Sequence, residues 1–482
     1  MQTRFVLIAG VLATSALGCG EDSPARPVPD AGSVALPPRL SVAELQNPET
    51  CKTCHPSQYA EWAGSMHAYA SNDPVFLAMN KRGQRETNGA LGKFCIQCHA
   101  PMAVRTNLTT DGLNIESLPK AVQGVTCYFC HNATGAGSDH FNANVTLAND
   151  DIMRGAIKDP VDPGVHGVAY NEGHDNRKMA ASELCGSCHD VVNDKGAHIE
   201  QTFAEYEATY FSIAKSGNNG GDTCQGCHMP ALGAKTEVAQ VPSLKLPKRD
   251  RHEHRWPAVD VALTDFPDSE LHRHETECAL SEDGAYIFEL LHDGAGGFDI
   301  AIETTAGHAQ PSGVSQDRRF WLEAIAYDAN DNVLWQSGVI DDGEREEYPL
   351  LDPKHDSQLC IFRNVFENER GDEVHMFWEA AKLRENDSRL LPIAVDPLAN
   401  HVARCSYKTP GRVVPARLSI RLRMRPISVT VLQDLVASGD LDPLLIPKMP
   451  TFTLHSTAVD WKPSDGDALR NPAAKPWPIT CD

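Results

Sequence analysis

The chain has 482 residues, with 65 acidic side chains against 43 basic ones and a net charge of -22. That length accommodates roughly two to four domains and a sizeable core. The acidity argues against nucleic-acid or anionic-lipid binding as the main activity and describes a soluble, acidic body.

In chain order, the first segment reads as an export signal. Arg4 precedes "FVLIAGVLATSALG", an apolar run too short to span a membrane as a mature helix. It leads into "SALGCG", which resembles a bacterial lipobox whose cysteine, Cys19, becomes diacylated. Ala16 and Leu17 depart from that pattern, so an ordinary secretory signal is the competing reading; both carry the chain out of the cytoplasm. The expectation is a lipoprotein-type signal peptide over residues 1–18. Residues 19–44 then form an extended tether rich in proline (Pro24, Pro27, Pro29, Pro37, Pro38), an anchor to a membrane rather than a span.

From residue 45 to about 245 the chain is dominated by C-x-x-C-H, the attachment pattern of a c-type haem. The motifs are Cys51-Cys54-His55, Cys95-Cys98-His99, Cys127-Cys130-His131, Cys185-Cys188-His189 and Cys224-Cys227-His228. With 15 cysteines and 20 histidines in the chain, random placement would give roughly 0.02 such motifs. Two thiols a helical turn apart add to the haem vinyl groups, and the adjacent histidine reaches the iron from the same side. Zinc sites would pair the C-x-x-C units, and disulfides alone would leave the five adjoining histidines unexplained. The expected cofactor is therefore covalent haem c, five copies, with fewer than forty residues for each. The haems themselves must then supply much of this segment's core.

An electron-transfer haem takes a second axial ligand. Pro56 suits a helix start, and Tyr59, Trp62, Met66 and Tyr69 recur at helical spacing, with His67 beside that face. Twelve residues of helix span about 18 Å, so a continuous helix would take His67 to a different haem from His55. His140 follows the third motif through a Gly-rich loop. His166, His174 and His198 flank the fourth motif, with His174 the preferred ligand. Met66, Met102, Met179 and Met229 also lie near motifs, where packing is the simpler role.

"CKTCHPSQYAEWAGSMHA", "GVTCYFCHNATGAGSDH", "SELCGSCHD" and "DTCQGCHMP" together resemble multihaem cytochromes with a cytochrome c-554/c-prime type domain, a group related to the haem core of hydroxylamine oxidoreductases. The resemblance covers about residues 45–232. In that group a W-x-x-S-x-H and a G-x-G-S-x-H segment supply distal histidines. Here these imply His67 and His140.

Beyond residue 245 the apolar period changes from 3.6 to 2. "FDIAIET", "RRFWLEAIAYDANDNVLWQSG" and "RLSIRLRMR" read as strands, and "SVTVLQDLVASGD" as one late helix. The expectation is an antiparallel β-sandwich domain over residues 255–482, so the fold class is α+β: a mostly helical or irregular pentahaem domain plus that sandwich. Arg417, Arg421, Arg423 and Arg425 share one strand face, read as solvated in preference to paired with haem propionates. Cys278, Cys360, Cys405 and Cys481 lie outside the haem motifs and fit two disulfides, with Cys360–Cys405 and Cys278–Cys481 the favoured pairing. His254, with His252 as competitor, and His308 could reach back to the haems. The segment around His308, G-H-x-x-P-x-G, resembles one seen in multihaem cytochromes with a C-terminal β-domain.

The leading expectation is electron relay between extracytoplasmic redox proteins, cytochromes or a membrane quinol-linked complex, on a periplasmic or outer-surface bacterial lipoprotein. One alternative is an oxidoreductase acting on a small nitrogen or sulfur compound at an open haem. It is weakened because all five motifs end in His and C-x-x-C-K is absent; no catalytic residue stands out. Another is a docking cytochrome of an extracellular conduit.

Overall fold

The computed structural model describes residues 38–137, 141–213, 223–241, 244–340, 351–384, 388–394, 396 and 400–481. The expected signal peptide, Cys19, most of the tether and His140 lie outside these.

The N-terminal half consists mainly of short helices, loops and two-stranded ladders. Pro56 opens a helix over Pro56–Ala63, which ends at Gly64. Ser65 then caps a separate turn, Met66–Tyr69, its hydroxyl accepting from the Ala68 amide at 3.4 Å. The single helix expected through His67 is thus two helices, because a glycine followed by a good N-cap residue ends one and starts the next. The long helix Pro74–Glu86 is capped by Asp73. Among the small ladders, Ile152–Gly155 pairs in parallel with Gly167–Tyr170.

The C-terminal half contains the expected strands: β1 (Tyr286–His292), β2 (Gly297–Glu303), β3 (Arg319–Tyr327), β4 (Val333–Ser337), β5 (Cys360–Phe362), β6 (Ala403–Lys408), β7 (Arg417–Arg425), β8 (Phe452–Trp461) and β9 (Ala468–Arg470). One antiparallel sheet runs β6-β2-β1-β9 and the other β4-β3-β7-β8, with β5 also paired to β3. Period-two alternation aims Leu290, Ile300 and Ile302 of one sheet and Leu322, Leu418, Ile420, Leu422 and Leu454 of the other into a common core.

The arginine face of β7 departs from the solvated reading. Arg423 and Arg425 are each only 1 % exposed. Arg421 and Arg423 both donate to Glu323 on neighbouring β3, at 2.6 and 2.8 Å. Arg417 pairs with Asp331 at 3.1 Å, and Arg425 donates to the Thr451 hydroxyl at 2.9 Å. Register explains it: β7 is a central strand, so its arginines lie across from neighbouring strands; Arg423 and Arg425 are buried there, while Arg417 and Arg421 stay partly exposed.

The disulfides are Cys278–Cys481 and Cys360–Cys405. The second joins β5 to β6 and so ties the two sheets together. The first ties the C-terminal segment to a helix, Ser269–Asp283, that the alternating pattern of this half did not announce.

Apolar cores cross the line between the two halves. Val75, Ala78 and Met79 pack with Val429, Val431, Leu432 and Leu435 of the late helix Val429–Ala437. Ala197 and Ile199 pack with Phe366 and Ala380. Arg85 adds a two-pronged ion pair to Asp440, 2.6 Å on each arm.

Candidate haem centres

Each attachment motif closes a helical turn that holds its two cysteines on one side. Cys127–His131 and Cys224–His228 are helices in their own right, Ile96–His99 is another, and Cys185 lies near the end of Met179–Gly186. Cys51 lies in Pro48–Lys52, and His55 immediately precedes Pro56.

All five adjacent histidines have one ring nitrogen committed. Nδ1–H donates to the carbonyl of Val238 from His55 (2.8 Å), of Ala70 from His99 (2.9 Å), of Arg154 from His131 (2.6 Å) and of Pro257 from His228 (3.1 Å). His189 differs: its Nδ1–H donates to the Glu200 carboxylate at 3.1 Å. A proton fixed on Nδ1 leaves the lone pair on Nε2, the tautomer an iron needs. Burial pushes the His228 pKa down to about 4, which keeps the ring neutral. At His189 burial opposes the charge, but the hydrogen bond to Glu200 and that carboxylate's charge outweigh it and push the pKa up to about 9.

Across from four of these rings stands a second imidazole. The centroid separations are 6.4 Å for His55–His166, 6.3 Å for His67–His189, 6.3 Å for His131–His254 and 6.3 Å for His228–His308. Two metal–nitrogen bonds of about 2 Å each, plus the distance from each nitrogen to its ring centre, require about 6 Å. The residues present therefore fit an iron between each pair. His166, His254 and His308 also commit Nδ1, each to a backbone carbonyl at 3.0 Å, of Gly167, His252 and Ala309. Burial holds His67 and His254 neutral, with pKa values pushed down to about 3.

The geometry thus brings His67, His254 and His308 opposite proximal histidines and places His166, not His174, in the remaining position. His174 is near a motif but turned wrongly. Its ring stacks on His131 at 5.3 Å and its Nε2–H donates to the Cys130 carbonyl at 3.0 Å, which spends the nitrogen a ligand would use. Sequence distance from a motif could not reveal that orientation. His252 donates to the Met229 carbonyl at 2.6 Å, and His198 is half exposed beside Asp190. Among the described residues the ring partner of His99 is Phe76, stacked at 4.0 Å. Met102 is packing, 1 % exposed in an apolar cluster.

The attachment cysteines also meet one another. The thiols of Cys51 and Cys127, of Cys98 and Cys188, and of Cys185 and Cys224 lie close enough to shift one another's pKa. Cys130 lies within electrostatic reach of Cys185 and Cys188. The first motif therefore adjoins the third, the second adjoins the fourth, and the fourth adjoins the fifth.

Residues 50–132 match the family model described as cytochrome c554 and c-prime. A crystal structure of a penta-heme cytochrome c552 from Thermochromatium tepidum shares the fold, with a TM-score of 0.59 at 19% identity over 88% of this chain and 100% of that one. Residues 50–132 thus resemble a cytochrome c554-type domain, within a chain whose fold is shared with that penta-heme protein. No curated protein matches it in sequence.

Three devices aim the opposing histidines. His67 is set by Gly124 and Val125, just before the third motif. The Val125 amide donates to the His67 carbonyl at 2.8 Å, and Gly124 lies so close that a Cβ there would come within 2.6 Å of the Ala68 oxygen. Its φ of +69° is itself suited to glycine. His254 is set by Glu61, 6 % exposed, which accepts from the His254 amide at 3.1 Å and from Arg251 at 2.7 Å. The His308 loop is set by Glu205, which accepts from the Ala309 amide at 3.1 Å and the Ser312 hydroxyl at 2.6 Å and pairs with buried Arg389. Glu61 and Glu205 escaped the sequence reading, since a carboxylate that supports a ligand through its backbone has no motif of its own.

Proposed function

We propose that the chain carries five covalently attached haems and relays electrons between redox proteins outside the cytoplasm. The haems would be held by Cys51/Cys54, Cys95/Cys98, Cys127/Cys130, Cys185/Cys188 and Cys224/Cys227. Four would have two imidazole ligands: His55 with His166, His67 with His189, His131 with His254, and His228 with His308. The observation that carries this reading is the recurrence of one imidazole spacing, 6.3 to 6.4 Å, at four separate motifs. Bound haem supplies a one-electron iron couple. The protein's part is to aim each imidazole with a fixed Nδ1 partner or ring contact, to bury the rings, and to hold neighbouring attachment sites close together. The thiol contacts support an order in which the first and third motifs are neighbours, the third approaches the fourth, and the second and fifth both branch from the fourth.

The reading includes export by the N-terminal signal and a lipid anchor at Cys19, with the proline-rich tether holding the body off the membrane. Cytochromes or a quinol-linked membrane complex are the expected partners. Among the described residues no helix is long and apolar enough to cross a membrane.

A second reading has one observation in its favour. His99 stacks on Phe76, and among the described residues no imidazole faces it. An open haem there would bind a small nitrogen or sulfur compound. A haem count with optical and EPR spectra tests both readings. Five low-spin haems, unreactive toward carbon monoxide, nitrite and hydroxylamine, support relay alone. A high-spin component that binds these and persists in a His140→Ala variant supports the second; fewer than five haems per chain sinks the pentahaem count.

A further inference from the structure

The stretch "HEHRWP", residues 252–257, joins the attachment segment to the sandwich and touches three centres. His254 faces His131, and the Pro257 carbonyl accepts from His228 Nδ1–H. Between them lies Trp256. Its indole meets His67 edge-on at 4.6 Å and 82°, and meets His254 at 5.5 Å and 76°. Those two histidines belong to different centres, since His67 faces His189. One side chain therefore contacts the opposing imidazole of two centres, in the edge-to-face geometry aromatic rings prefer.

The backbone is arranged around that contact. Trp256 has a φ of 50°, in the left-handed region, unusual for a bulky residue and kept only where surrounding structure enforces it. Here both flanks do so: the His254 amide is bound to buried Glu61, and the Pro257 carbonyl is bound to His228. His67 Nδ1, unlike that of the other three opposing histidines, has no hydrogen-bond partner of its own among the described residues, which leaves the indole as a ring contact able to set its plane. Groups that orient a metal ligand tune the metal.

We infer that Trp256 is a positioning residue shared by two haem centres. It fixes the imidazole planes of His67 and His254 together, so that ligation at the His189 and His131 centres is interdependent. The inference rests on the reading that His67 and His254 are iron ligands.

Holoprotein variants test it by EPR, carbon monoxide binding and potentiometric titration. Trp256→Ala should alter two low-spin signals and two midpoint potentials together and leave the rest in place. Trp256→Phe, which keeps an aromatic edge, should restore most of both. Glu61→Gln, which touches only the His254 side, should disturb one centre. A haem-replete Trp256→Ala protein with spectra and potentials that superimpose on wild type overturns the inference, as does a change confined to one haem. If that variant does not mature, Trp256→Phe carries the same test: wild-type signals throughout count against shared positioning, and paired smaller shifts support it. His67→Ala and His254→Ala examine the underlying reading separately. Each should free one haem to bind carbon monoxide, and failure of both removes the ligand reading whatever Trp256 does.

Discussion

Four proximal histidines give their Nδ1 proton to a backbone carbonyl, while His189 gives it to Glu200. A carboxylate acceptor makes the imidazole a stronger electron donor and stabilises the oxidised iron it binds. The Glu200→Gln variant should therefore raise the midpoint potential of one haem and leave the others unmoved. A potentiometric titration identical to wild type would contradict this. These five histidines stood out in the sequence because each closes a contiguous C-x-x-C-H motif. Their acceptors did not: Val238 and Pro257 lie far along the chain, and any residue can offer a carbonyl.

At the scale of elements, short contacts between distant segments do most of the positioning. In a Gly124→Ala variant the added methyl would meet backbone atoms of His67 and Ala68 at a left-handed φ, costing about 2 kcal/mol. Thermal unfolding should show that loss, and the spectrum should show weakened ligation at the haem served by His67. Replacing Glu205 by alanine removes the acceptor of the Ala309 amide and the carboxylate partner of Arg389, where both side chains are less than one-tenth exposed. A destabilisation of about 3 kcal/mol follows, measurable by denaturant titration. Carbon monoxide binding at the His228 haem should accompany it, because the His308 loop loses its anchor. The strands of the sandwich were legible from their alternation. The helix Ser269–Asp283 was not, since its buried residues include His272, Thr276 and Ser281, which break the apolar pattern that marks an amphipathic helix.

At the scale of the molecule, the two halves depend on different things for stability. The sandwich has its own large apolar core and a disulfide between its sheets. The N-terminal half has a smaller apolar cluster, and the ten cysteines of its C-x-x-C-H motifs form no disulfides. Full-length chain made without haem attachment should be cut by protease within residues 51–228 while the sandwich survives as a resistant fragment. Equal resistance throughout would show that the attachment segment folds unaided. The cores shared across the boundary, around Val75 and Val429 and around Ile199 and Phe366, make the sandwich a buttress for the attachment segment rather than an appended module.

The sequence by itself marked the five C-x-x-C-H motifs and the histidine adjoining each, the strands of the second half, and the four cysteines that remain to pair. Each of these is a local property: a motif, a period or a count. Tertiary structure decided which imidazoles face each other, that His166 rather than His174 stands opposite His55, and that Arg423 is buried against Glu323. A second ligand needs only a nitrogen at the right distance and angle. Any histidine in the chain can be brought there by folding, so its neighbours in sequence carry little information about its role.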